Sequence, residues 1–401
     1  MILVLGYGVS GKAAVLFLKK LGLPVVAVDR RPDVNAGVLP DSADFPMDGI
    51  SQVILSPGIP STHPLVKKAK ALGIEVIGEM ELALRWTKNR SVGVTGSNGK
   101  TTTALLTAHV LNASGVKARA VGNVGVALSS YLLNPDPEEI LIVELSSFQL
   151  ETLRVKHFEF GVYLNLLPNH LDRHASMEEY ARAKANLQHC LKPDGKLLVS
   201  NQVLQASKDL LQIDRVEVFE ENGPFAPLFL PAQNVAAVQA IAAKFDVSEE
   251  QVVAALPSFK KPPHRIEYVA ESAGVRYYND SKATSVEAVL HALSWFSGPL
   301  VLIVGGKDKG SPYVPWIAAM QGKVKKIVAY GEAAQNIARD VGSFYAVDRV
   351  DLFSDAVAAA QREACLGDTV LLAPGCSSYD QFESYEERGD VFKMLVMGVR
   401  A

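Results

Sequence analysis

Lys100 stands in the stretch Thr95-Gly-Ser-Asn-Gly-Lys-Thr-Thr102, whose residue types are those needed to hold a polyphosphate. Gly96 and Gly99 let successive backbone N–H groups turn toward an anion, with Ser97 and Asn98 between them. Lys100 adds a positive charge, and Thr101 and Thr102 place hydroxyls at the start of the following helix, where Thr101 can reach the Mg²⁺ that accompanies a nucleotide. The common phosphate-loop pattern has glycine where this chain has Val94. The anion contacts come from the later residues, so the loop works without it. ATP binding follows from this stretch; the use made of the phosphate does not, because ATPases and small-molecule kinases carry similar turns.

Other residues carry chemistry by type and place. Glu144 closes the apolar run 140–144, and an acid at a strand end beside a phosphate loop suits Mg²⁺, which prefers oxygen ligands. His170 falls in the polar turn Asn169-His-Leu-Asp-Arg-His174 after another apolar run, a place that favours a site role. Gly6-Tyr-Gly-Val-Ser-Gly11, with Asp29 ending the next apolar run, has the spacing of a dinucleotide fingerprint. That turn leaves NAD, FAD and a nucleotide-sugar open, and Ser56-Pro57-Gly58 is placed to face the same crevice. Lys184, in Tyr180-Ala-Arg-Ala-Lys-Ala185, reads from spacing alone as part of a solvated helix face.

These groups need strands that end beside them. Short β-branched runs alternate with amphipathic stretches along the chain, the pattern of α/β units with parallel sheets. Strands are expected at 2–5, 25–28 and 53–55, with helices at 11–21 and 79–87, before the polar break Lys88-Asn89-Arg90. A second series has strands at 91–95, 140–144, 160–164 and 196–199, and helices at 100–114, 178–190, 232–245 and 248–256. Lys260-Lys-Pro-Pro263 reads as a linker, since consecutive prolines exclude helix. A third series has strands at 266–269, 275–278, 300–304, 326–329 and 369–372. The expected architecture is three consecutive α/β domains over 1–88, 89–260 and 261–401. The first and third are Rossmann-like and the central one resembles a P-loop ATPase.

The chain has 401 residues, 48% hydrophobic and 21% charged, with a net charge of −3. That balance gives no reason to expect nucleic acid or an anionic membrane surface as a partner. Three cysteines, Cys190, Cys365 and Cys376, form neither a metal-spaced pair nor a disulfide framework, so a reducing cytoplasm is expected. Gly6 follows the first residues too soon for a signal peptide, and no apolar run nears the ~18 residues of a membrane span.

With Thr95–Thr102, Glu144-Leu-Ser-Ser-Phe-Gln-Leu-Glu151 and Asn169-His-Leu-Asp172 in order, the chain resembles the Mur ligase family. Pro263-His-Arg-Ile-Glu267, Asn279-Asp-Ser-Lys-Ala-Thr284, Gly305-Gly-Lys-Asp-Lys-Gly310 and Ala373-Pro-Gly-Cys-Ser-Ser-Tyr-Asp-Gln-Phe382 extend the resemblance over essentially the full length, and are similar to the D-glutamate-adding branch. The resemblance implies ATP-dependent joining of D-glutamate to UDP-N-acetylmuramoyl-L-alanine through an acyl phosphate, in cytoplasmic peptidoglycan precursor synthesis. It further implies a monomer.

The resemblance also assigns residues. The first domain would hold the UDP-substrate with Gly8, Val9, Ser10, Asp29, Arg30 and Gly58, joined by Asn123 and His170. Two Mg²⁺ ions would sit at Thr101, Glu144, His170 and Lys184, the last carbamylated by CO₂; these groups and Lys100 would be the catalytic set. Asn234 falls at a purine-contacting position, although Leu230-Pro231 replaces the usual His-Asn upstream. His264 and Arg265 would lie close to the nucleotide. Lys282, Thr284, Lys309, Ser378, Tyr379 and Tyr385 would surround the D-glutamate carboxylates. Three substrates held by three domains imply closure about the 260–263 segment. A folylpolyglutamate synthase is the nearest rival reading, and the Rossmann-like first domain argues against it. An NAD-dependent oxidoreductase would leave residues 95–102 without a task, and a non-catalytic nucleotide-binding regulator would need neither Lys184 nor the basic clamp.

Overall fold

Apolar runs such as Ile-Leu-Val-Leu and Ile-Leu-Ile-Val become central parallel strands, covered on both faces. A computed structural model describes residues 1–168, 174, 176–220 and 230–398. The first sheet comprises β1 (Ile2–Leu5), β2 (Val25–Asp29), β3 (Val38–Pro40), β4 (Gln52–Leu55) and β5 (Glu75–Gly78), in the order β3-β2-β1-β4-β5. All its pairings are parallel. Its helices are α1 (Val9–Lys20), α2 (Pro64–Ala71) and α3 (Glu79–Trp86).

The second sheet runs β11-β10-β9-β6-β8-β7, again all parallel. Its strands are β6 (Ser91–Thr95), β7 (Ala118–Gly122), β8 (Ile140–Glu144), β9 (Phe158–Tyr163), β10 (Leu191–Ser200) and β11 (Val216–Phe219). Its helices are α4 (Lys100–Ala113), α5 (Leu128–Tyr131), α6 (Ser147–Thr152), α7 (Met177–Ala185), α8 (Asn201–Ser207), α9 (Ala232–Ala243) and α10 (Glu249–Ala255). A 3₁₀ segment, Asn186–Cys190, takes the last part of the helix expected at 178–190.

The first two sheets belong to one compact unit, residues 1–259, and the third to another, 260–401. Within the first unit α3 joins the two sheets through buried acids. Glu79 Oε1 accepts the Ser129 N–H at 2.9 Å, and Glu81 Oε2 accepts those of Arg154 and Val155 at 2.7 and 2.9 Å. Asn89, in the polar break, is buried and donates to the carbonyls of Asp136 and Glu139.

The second unit has the order β12-β13-β17-β14-β15-β16, with β12 (Glu267–Ser272), β13 (Val275–Asn279), β14 (Leu300–Gly305), β15 (Val324–Tyr330), β16 (Val347–Val350) and β17 (Thr369–Gly375). The helices are α11 (Val286–Ser294), α12 (Trp316–Met320), α13 (Ala334–Val341), α14 (Phe353–Glu363) and α15 (Tyr385–Met397). One pairing departs from the all-parallel expectation: β12 and β13 are antiparallel. Only Ala273 and Gly274 join them, both with positive φ, a hairpin turn far too short for a parallel crossover.

Candidate active site

The phosphate loop leaves the C-terminal end of β6, a central strand flanked by β8 and β9. Open α/β sheets bind ligands beyond their carboxyl ends at such a point. Lys100 Nζ folds back onto its own loop, donating to the carbonyls of Gly96 at 2.8 Å and Ser97 at 2.9 Å. Lys184, only 1% exposed on α7, donates from the other side to the same Gly96 carbonyl at 2.7 Å. The solvated face that spacing alone gives Lys184 is therefore corrected: Tyr180, Ala181 and Ala185 bury with it. Its ammonium lies 4.5 Å from the centre of the Tyr180 ring. Burial drives its pKa well down, the Lys100 charge adds to the fall, and Glu144 opposes it. Two lysines thus meet at a single peptide group, with one acid within electrostatic reach of Lys184.

Glu144 ends β8, in register with Val94. It is 2% exposed; Oε1 accepts from Asn123 Nδ2 at 2.9 Å, while Oε2 is buried with no hydrogen-bond partner among the described residues. A buried, unsatisfied carboxylate oxygen is costly unless something positive meets it. Thr101 and Thr102 are half-buried in the first turn of α4. His170 lies outside the described residues. Among the described residues no cluster of three His, Cys, Asp or Glu side chains could hold a metal.

Gly99 caps α4 in the left-handed region, φ 82°, and a Cβ there would meet the Asn234 amide at 2.7 Å. Asn234, on α9, donates to the Gly99 carbonyl at 2.8 Å and to Thr103 Oγ1 at 3.1 Å. Its amide nitrogen therefore braces the loop. Gly99→Ala is expected to cost about 1–3 kcal/mol and to weaken nucleotide binding; thermal melts with and without nucleotide check both effects.

The first glycine turn is built just as tightly. Gly6 has φ 90°, and a Cβ on Gly11 would lie 1.9 Å from the Gly6 carbonyl oxygen. Asp29 Oδ2 accepts the Tyr7 N–H at 2.6 Å and Oδ1 accepts that of Arg31 at 2.9 Å. Ser56 Oγ donates to the Gly6 carbonyl at 2.9 Å, so the two turns share one crevice. Gly8, Val9, Arg30 and Gly58 are exposed around it, and Ser10 is half-buried. A cavity of ≈ 320 Å³ runs from Ser56, Pro57 and Ile59 to Phe148, Gln149 and Thr152 on α6.

In the second unit, adjacent β13, β17 and β14 end beside the remaining expected residues. Lys282 Nζ sits 3.8 Å from the centre of the Tyr385 ring. Exposed Lys309 donates to the Thr284 carbonyl at 3.0 Å. Ser378 is buried, and Tyr379 is 69% exposed. His264, buried with φ 63°, meets Asn279 Nδ2 through Nδ1 at 3.0 Å; burial lowers its pKa, helped by Lys393 and opposed by Glu267, Asp390 and Glu386. Half-buried Arg265 lies within electrostatic reach of Asp280.

Burial raises the Asp280 carboxyl to about 7, opposed by Arg265, the Ile266 N–H and Lys261. A carboxyl raised on folding contributes stability below its unfolded pKa, near 3.9, which is lost as pH climbs through its folded value; at full burial this shift corresponds to ~4 kcal/mol. Asp280→Asn removes that loss, so its stability gain over the parent should widen between about pH 4 and about pH 7. Denaturant melts at the two ends of this window check it, and a constant gap would contradict it.

Arg388 escapes sequence reasoning. It is fully buried on α15, donating to Ser281 Oγ at 2.9 Å, the Ser281 carbonyl at 2.8 Å, and both Tyr330 Oη and the Cys376 carbonyl at 3.2 Å. Glu386-Glu-Arg-Gly389 carries no pattern that marks it as a core cation.

The three sheets, the loop at the end of β6 and the paired lysines define a class, and comparison with known proteins gives its family. Residues 1–78 match the Mur ligase MurD-like N-terminal domain, 94–220 the Mur ligase middle domain and 264–376 the Mur ligase glutamate ligase domain. The chain belongs to the Mur ligase family. It is 39% identical to the UDP-N-acetylmuramoylalanine--D-glutamate ligase of Protochlamydia amoebophila, over 98% of this chain and 97% of that one. It is 36% identical to the Chlamydia trachomatis protein of that name over 98% and 97%, and 32% identical to the Alkaliphilus metalliredigens one over 100% and 98%. In fold it is similar to the UDP-N-acetylmuramate-alanine ligase MurC of Thermotoga maritima, TM-score 0.64 at 15% identity, covering 100% and 99%. A folylpolyglutamate synthase/dihydrofolate synthase of Yersinia pestis aligns at TM-score 0.58 and 15% identity, covering 83% and 92%, so fold alone does not separate the two activities. No helix among the described residues is long and apolar enough to cross a membrane.

Proposed function

We propose that this chain joins D-glutamate to UDP-N-acetylmuramoyl-L-alanine with consumption of ATP, as an ADP-forming acid–amino-acid ligase of peptidoglycan precursor synthesis. The observation that carries the reading is the meeting of Lys100 and Lys184 at the Gly96 carbonyl, with Glu144 within electrostatic reach of Lys184, in a chain similar over its full length to ligases of that name. Domain limits at 88 and 260, a cytoplasmic location and a monomer belong to the same proposal.

A carboxylate is a poor acyl donor, because its leaving group would be oxide. Transfer of the γ-phosphoryl group gives an acyl phosphate that expels phosphate instead, when the amine of D-glutamate attacks. The first step needs positioning and charge neutralisation more than covalent help. Lys100 would leave the Gly96 and Ser97 carbonyls for the phosphates, and the opening turn of α4 would present its N–H groups.

The donor set fits Mg²⁺ at the buried Glu144 Oε2, with Thr101 and His170 as companions. The ion, when bound, would neutralise charge on the phosphate oxygens. Lys184 fits a second ion only in another form. Its depressed pKa favours the neutral amine, which can add to CO₂, forming an N–C bond and releasing a proton. The resulting carbamate is an anion with oxygen donors.

The first-sheet crevice, with Gly8, Val9, Ser10, Asp29, Arg30 and Gly58, would take the UDP moiety, and Asn123 the part nearest Glu144. Asn234, His264 and Arg265 are proposed for the nucleotide side. Lys282, Lys309, Thr284, Ser378, Tyr379 and Tyr385 would clamp the D-glutamate carboxylates through charge-assisted hydrogen bonds. Testing a panel of amino acids in an ADP-release assay with the UDP-substrate decides the assignment: D-glutamate should be preferred, and release without any amino acid should be minor.

A further inference from the structure

Asn165, two residues beyond the end of β9, is 7% exposed and directs its carboxamide into the phosphate loop. Oδ1 accepts the Asn98 N–H at 2.9 Å, and Nδ2 donates to the Asn98 carbonyl at 3.2 Å and to Gln233 Oε1 at 2.6 Å. The Asn165 backbone carbonyl accepts the Ser97 N–H at 3.0 Å. One residue thus fixes the loop at two successive positions.

A carboxamide can accept from an N–H with its oxygen and donate to the C=O of the same residue with its nitrogen, which an apolar side chain or a carboxylate cannot do. The amide's orientation is set by the Asn98 N–H, which can only donate. Gln233 precedes Asn234 on α9. Two neighbouring side chains of one helix therefore grip the loop, Asn234 directly at Gly99 and Gln233 through Asn165 at Asn98. The pairing also assigns the loop's donors. The N–H groups of Ser97 and Asn98 are spent on Asn165, whereas the first turn of α4, beginning at Lys100, lies outside that helix's own hydrogen-bond ladder.

We infer that Asn165 is a positioning residue for the nucleotide phosphates, oriented by Gln233, which holds the Gly96–Gly99 turn in the one register that aims the α4 N-terminus at the anion. This rests on the ATP reading proposed above. Asn165 does not itself touch the phosphates; it raises the fraction of molecules whose loop is ready to bind, and apparent affinity scales with that fraction. Asn165→Ala should weaken ADP and ATP binding by about ten-fold, the effect of a competent fraction near a tenth. Affinity for the UDP-substrate should hold within about two-fold. Asn165→Asp should be worse for nucleotide, because a carboxylate would face the Asn98 carbonyl, a backbone acceptor that cannot turn to donate. Gln233→Ala, which leaves the Asn98 contacts in place, should show a smaller loss in the same direction.

The test is calorimetric titration of the full-length parent and the three variants with ADP and, separately, with UDP-N-acetylmuramoyl-L-alanine, together with KM for ATP and for D-glutamate. Selective loss for the nucleotide supports the inference. Unchanged ADP affinity in Asn165→Ala and Gln233→Ala, with the parent binding ADP normally, overturns it and leaves the ATP reading intact. Equal loss for both ligands also overturns it, since that marks a general structural role. A parent that binds no adenine nucleotide overturns the ATP reading itself.

Discussion

Lys100→Ala is expected to lower ATP turnover by at least ~10²–10³-fold, the scale set by removing one preorganised donor from developing charge. Phosphoryl transfer places negative charge on oxygens the protein must already be facing, and Lys100 is the cation rooted in the loop that would face them. Two of its partners, the Gly96 and Ser97 carbonyls, are the turn's own and can be released without unfolding anything else. Stability without nucleotide should therefore change little, so the melting temperature of the ligand-free variant separates a catalytic effect from a folding one. Single-turnover assays should place the loss in formation of the acyl phosphate; near-normal turnover would remove Lys100 from the mechanism.

Lys184 should matter as much, for a different reason. Lys184→Arg preserves the charge and most of the length but cannot form a carbamate under these conditions, because guanidinium stays protonated. It is expected to be about as inactive as Lys184→Ala, with losses on the order of 10²-fold or more. The parent should lose activity in CO₂-depleted buffer and regain it with bicarbonate. With ¹³CO₂ it should give a carbamate carbon resonance that Lys184→Arg lacks. A fully active parent in depleted buffer, or a Lys184→Arg variant near parental activity, would sink the carbamate. The pH sense follows from the depressed pKa: the neutral amine is available at lower pH than for an ordinary lysine, so carbamate formation does not require strongly alkaline conditions.

The strand and helix pattern was legible because most of these strands are buried on both faces. Ile2–Leu5, Ile140–Glu144 and Leu300–Gly305 carry their signal in composition alone. Short or edge elements were not: β3 (Val38–Pro40) has three residues, two of them exposed, β7 (Ala118–Gly122) carries exposed Arg119, and the two-residue turn that reverses β12 against β13 sets their antiparallel pairing within a local stretch. The phosphate loop was readable because its glycines answer to backbone geometry. Lys184 was not readable from spacing, since a lysine at a buried helix position looks like one on a surface until its neighbours are known. Tyr180 beside it and Ala181 and Ala185 around it are the signal that periodicity offered. Asn165 and Arg388 act in part through backbone carbonyls and N–H groups, which no side-chain pattern records.

The most direct test of the central claim is product analysis with purified protein, ATP, Mg²⁺, UDP-N-acetylmuramoyl-L-alanine and D-glutamate. The account predicts ADP, phosphate and a UDP-linked dipeptide in equal amounts, with formation stopping when either acceptor or amino acid is left out. Nucleotide hydrolysis that proceeds without both, or a complete mixture that yields no new amide bond, would contradict it.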